Sequence, residues 1–131
     1  MVGHIAFPNI TNDLTPASLS KTIITDILKK KLNYNGLVIT DALNMKALTD
    51  NYTDDEIYTM AINAGVDLLL MPNNPHKAIQ IIKETINEER INESVAKILR
   101  FKFTYLENIE ILDSSYLNQN SYQDILNKIE Q

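Results

Sequence analysis

Apolar positions along the chain fall into two alternating rhythms. Residues 37–40 (Leu-Val-Ile-Thr) and 66–71 (Val-Asp-Leu-Leu-Leu-Met) are short, nearly unbroken apolar or β-branched runs, as in strands covered on both faces. Between and after them, apolar residues recur at helical spacing. Leu19, Ile23, Ile24, Ile27 and Leu28 oppose Lys21, Lys29 and Lys30; Ile57, Met60, Ala61 and Ala64 form a shorter stripe; Ala78, Ile79, Ile82 and Ile86 form another. A last series, Val95, Ile98, Leu99, Phe103 and Leu106, is set against Lys97, Arg100 and Lys102, which take its outer or carboxyl side. Strands alternating with helices predict an α/β fold with a parallel sheet.

Local punctuation supports these boundaries. Residues 1–6 read as a strand ending near His4, and residues 7–17, with Pro8, Asn9, Asn12, Asp13 and Pro16, as a loop. Ser18 or Ser20 can cap the first helix, which runs to about Leu32, and Gly36 can take positive φ after it. Thr53 and Glu56 form a capping box, Gly65 stops the helix it starts, Asn74-Pro75 opens the next helix, and Asn92 caps the last.

Composition narrows the function. With 131 residues and 44% apolar content the chain is one domain in size. A net charge of −5 without a basic run argues against nucleic acid or an anionic membrane surface as partner. No apolar stretch approaches the ~20 residues of a membrane helix. The chain has no cysteine for a disulfide or thiolate metal site, and its three glycines make no dinucleotide fingerprint, so no cofactor is implied. The polar surface permits a neutral ligand such as a sugar.

Asp41 ends the first buried run, where parallel folds gather their chemistry. Position alone leaves it either a helix cap or a reactive carboxylate. His4, near the end of its own strand, is either a core histidine bonded to backbone or a pocket residue. Asp67 begins the second run, at the opposite end of a parallel sheet from Asp41, and a five-residue strand spans ~16 Å, too far for the two carboxylates to act together. Asp67 therefore reads as structural. Asp54, Asp55 and Glu56 read as a solvated helix start rather than a metal site, and His76 as an exposed first-turn residue.

The motif Thr40-Asp41-Ala42-Leu43-Asn44-Met45, with Pro16-Ala17-Ser18-Leu19-Ser20 upstream and Ala64-Gly65-Val66-Asp67-Leu68-Leu69-Leu70 downstream, resembles family 3 glycoside hydrolases, especially bacterial β-N-acetylhexosaminidases of the NagZ type. Residues 91–102 resemble the closing helix of that family. The resemblance implies that Asp41 is the nucleophile and that His4 and Met45 border the sugar. It also implies a partial TIM (β/α)8 barrel over residues 1–106, with about three parallel strands (barrel strands 6–8) and their helices, followed by a tail, residues 107–131, with a short helix capped at residues 121–124. A complete barrel needs roughly 250 residues, so the chain is expected to be about half of one.

The family's acid/base, an Asp-His pair on a mobile loop, and its Lys-His-(Phe/Trp)-Pro-Gly-His motif match no stretch here. The expectation is a truncated product or fragment whose parent hydrolyses terminal β-linked N-acetylhexosamine, in a glycoside or a cell-wall muropeptide, with retention. The fragment alone is expected to have little activity and to self-associate through exposed sheet edges. The alternatives are a β-glucosidase-type member of the family and a non-catalytic α/β interaction module that folds alone.

Overall fold

The computed structural model describes residues 1–106, so the tail helix expected beyond them lies outside the described residues. Three short extended segments lie side by side at its centre. Val2 N–H donates to Ile39 O at 2.8 Å and Asp41 N–H to Val2 O at 2.9 Å, while Leu68 N–H donates to Val38 O and Thr40 N–H to Leu68 O, both at 3.1 Å. The two resulting bridges, Val2 with Thr40 and Ile39 with Leu68, are parallel.

The expected three-stranded piece of a TIM (β/α)8 barrel is not formed. Among the described residues there is no strand, sheet or barrel, only those two bridges and an antiparallel one between Ala6 and Pro16. The next backbone rung is replaced by side-chain bonds: the Leu70 N–H goes to Thr40 Oγ1 at 3.0 Å and the Ala42 N–H to Asp41 Oδ1 at 2.8 Å. Met71 then turns the third segment away at φ 47°, and the first segment leaves Val2 to meet Pro16. With one rung on each side, no ladder can propagate.

Helical segments surround this centre. After a short turn, α1 (Pro8–Thr11), a 3₁₀ turn (Ala17–Leu19) leads into a helix (Thr22–Lys31) wound in the wider π manner. Its close is marked by Leu32 N–H reaching Ile27 O at 2.9 Å. Ser20 Oγ accepts the Ile23 N–H near its start, as the sequence suggests, whereas the positive φ after it falls on Asn33 rather than Gly36.

Beyond α2 (Lys46–Thr49), helix α3 (Asp54–Ala64) carries the complete capping box and ends at Gly65, φ 110°. In α4 (Pro75–Thr85), Asn74 Oδ1 accepts the Lys77 N–H at 3.0 Å. Its buried residues are Ala78 and Ile81, with Ile86 following, and Ile79 is turned outward.

The core joins Leu19, Ile24, Val38, Leu43, Ile57 and Val66, with α3 packed on α4, on the 3₁₀ turn and on the π-wound helix. Helix α5 (Glu88–Leu106) begins a turn earlier than expected, where Asn87 Oδ1 accepts the Arg90 N–H at 2.8 Å. It is also rotated from the face its apolar spacing suggests, because Arg90, Ser94 and Lys97 point inward to Asp67 while Val95, Leu99 and Phe103 are exposed. A buried carboxylate demands charged and hydrogen-bonding partners more strongly than three apolar side chains demand cover.

Candidate active site

The motif residues converge on one peptide unit. Thr40 is completely buried and ends the central extended segment, so Asp41 emerges at its rim, half-buried. The Ala42 N–H donates to Asp41 Oδ1, and the Ala42 carbonyl accepts from His4 Nε2 at 3.0 Å and from the Met45 N–H at 3.2 Å. His4, Asp41 and Met45 are thereby brought together around the backbone of Ala42.

The imidazole is fully engaged. A carbonyl can only accept, so Nε2 carries the proton; in the neutral ring Nδ1 then accepts from the Ser18 hydroxyl at 2.7 Å. Ser18 is buried in the 3₁₀ turn, where the sequence suggested only a helix cap. Its pairing with His4 joins residues fourteen apart, a relation that local patterning does not carry.

Met45 is exposed with extended backbone, and begins α2. The second carboxylate oxygen of Asp41, Oδ2, has no partner among the described residues. One oxygen of the carboxylate is thus oriented by a backbone N–H and the other by none.

Asp67 has a different environment at the opposite end of the central segment. Its carboxylate is wholly buried, Oδ2 accepting the Val38 N–H at 3.0 Å and Oδ1 the Ser94 hydroxyl at 2.7 Å. Lys29, Arg90 and Lys97 surround Oδ1 at 3.9, 3.8 and 3.9 Å. Arg90 also donates to the Ile62, Ser94 and Val66 oxygens. Burial lowers the Lys29 amine to about 8, with Asp67 opposing that shift and Lys97 and Arg90 adding to it. Val38 lies three residues, about 10 Å, before Asp41, roughly twice the separation of a retaining pair. Asp67 is a structural hub, as its place in the sequence suggested.

Residues 1–101 match the glycosyl hydrolase family 3 N-terminal domain, and the chain belongs to that family. Among particular proteins, it is 29% identical over 126 residues to β-hexosaminidase A of Pseudoalteromonas piscicida, covering 78% of this chain and 21% of that protein. It is 37% identical over 94 residues to the β-hexosaminidase of Actinobacillus succinogenes, covering 69% and 26%. The crystal structure of the β-N-acetylglucosaminidase from Thermotoga maritima superposes with a TM-score of 0.68 at 31% identity, covering 76% of this chain and 23% of that one. The chain thus spans about a fifth to a quarter of the length of these curated relatives.

Proposed function

We propose that this chain carries the nucleophile of a retaining glycosidase acting on terminal β-linked N-acetylhexosamine. In this reading Asp41 Oδ2 attacks the anomeric carbon as the C1–oxygen bond to the aglycone breaks. The leaving oxygen takes a proton from an acid on the other face of the sugar; water, activated by the same group, then releases the sugar from Asp41. The observation that carries the reading is the asymmetry of the Asp41 carboxylate, with Oδ1 held by the Ala42 N–H and Oδ2 unpartnered among the described residues.

His4 acts by fixing the Ala42 carbonyl, and so the peptide that orients Asp41, and Met45 offers an exposed apolar border to the sugar. The likeness to β-hexosaminidases and a β-N-acetylglucosaminidase favours an N-acetylglucosamine-containing glycoside as substrate. Asp67 is distant and both its oxygens are bound, which argues against it as the proton donor. We infer that a parent protein supplies the donor and that the isolated chain turns over little or nothing.

A hybrid tests this reading: the matching segment of the P. piscicida enzyme is replaced by this chain and assayed on a chromogenic β-N-acetylglucosaminide. The hybrid is expected to be active, and Asp41→Asn to lower kcat by at least ~10⁴-fold. Asp41→Ala with azide is expected to yield the α-glycosyl azide, because azide enters from the vacated face. An Asp41→Asn hybrid within ~10-fold of the parent overturns the assignment. Enzyme-like turnover by the isolated chain, lost in Asp41→Asn, overturns only the inactivity.

A further inference from the structure

We propose that the outward face of α5 is a self-association surface, pairing antiparallel with the same helix of a second copy of this chain. Val95, Leu99 and Phe103 succeed one another at four-residue spacing and are 44%, 46% and 63% exposed. Ile91, only partly exposed, continues the stripe by one turn. The opposite face, Arg90, Ser94 and Lys97, is the one that serves the interior through Asp67. A continuous apolar stripe on a helix already anchored by its other side is a surface built for a partner.

The distribution of charge selects the partner. With Arg90 and Lys97 turned inward to Asp67, the remaining charges of α5 are acidic in its first half (Glu88, Glu89, Glu93) and basic in its second (Arg100, Lys102). At 100° per residue, Glu88 and Lys102 lie within about 20° of Val95 on either side, so both share the stripe's face at its two ends, about 21 Å apart. Both are exposed. A parallel copy would set acid against acid and base against base. An antiparallel copy with its two-fold axis at Val95 sets Glu88 of one copy against Lys102 of the other, and Leu99 against Ile91, each pair occurring twice.

One helix pair buries less than the ~1,200 Å² of a standard interface, so the dimer is weak and concentration-dependent. It is a side-chain contact, separate from any pairing of backbone edges.

Sedimentation equilibrium of the full 131-residue chain, from about 10 µM to about 1 mM at low salt, reads the association directly. Dimer is expected to accumulate across that range. Leu99→Glu is expected to abolish it, and Lys102→Glu to weaken it roughly tenfold by setting glutamates opposite each other. The double variant Glu88→Lys/Lys102→Glu inverts each pair and is expected to recover the original affinity. A chain that stays monomeric at about 1 mM overturns the proposal; that is the outcome if the stripe is covered within the same chain or reserved for another protein. So does a dimer undiminished in Leu99→Glu, or a double variant no tighter than Lys102→Glu alone.

Discussion

His4 and Asp41 are linked through a single residue: His4 Nε2 donates to the Ala42 carbonyl at 3.0 Å, and the Ala42 N–H donates to Asp41 Oδ1 at 2.8 Å. The histidine therefore acts on the carboxylate through the peptide between them. His4→Phe removes that tether and leaves the buried Ser18 hydroxyl without its partner. The expected cost is about 1–2 kcal/mol, read from the urea unfolding midpoint.

Asp67 and Asp41 should respond to the same chemical change in opposite ways. Asp67→Asn keeps the volume but strips the charge that Lys29, Arg90 and Lys97 surround, and is expected to destabilise the fold by about 3–5 kcal/mol. Asp41→Asn, half-exposed and with one hydrogen bond to a neighbouring backbone N–H, should stay within about 1 kcal/mol. Paired denaturant titrations of the two variants check both.

Lys29 gives a pH signature. Its folded pKa, near 8, lies below the ordinary 10.5, so the folded chain binds fewer protons than the unfolded chain in between. Stability should accordingly rise as pH goes from 8 towards 10.5, because the penalty on the charged amine is fully present below the folded pKa and relieved above it. Lys29→Met should flatten that rise. Unfolding free energies of both proteins across the alkaline window provide the comparison.

Gly65 stands at φ 110°, and a Cβ there would come within 2.8 Å of Thr25 Oγ1 and 3.2 Å of Lys29 Nζ. Thr25 cannot readily yield, since its hydroxyl donates to Ala64 O at 2.7 Å. Gly65→Ala is expected to cost about 2 kcal/mol or more, and thermal unfolding would show it as a lower Tm.

What was legible in the sequence was local. The Thr53–Glu56 box and the Asn74-Pro75 start each need partners within three residues, and each forms as read. The gathering of His4, Asp41 and Met45 follows from the segments that carry them. The orientation of α5 was hidden, because it answers to Asp67, more than twenty residues earlier, and apolar spacing cannot report a distant carboxylate. The strands failed for a related reason: the apolar runs predict extension, and extension occurs, but the rung that would continue the ladder is taken by the side chains of Thr40 and Asp41.

The clamp that Asp67 places on the Val38 amide gives the central segment a fixed heel. Backbone bonds to Val2 and Leu68 then steady it as far as Asp41, and the Leu43 N–H, bound to Leu70 O at 2.9 Å, ties down the loop beyond. From Ala42 to Met45, Leu43 is buried in the core and Ala42 orients Asp41, so drift that spares the mount is confined to the exposed Asn44 and Met45 and leaves the hub of Lys29, Arg90 and Lys97 untouched.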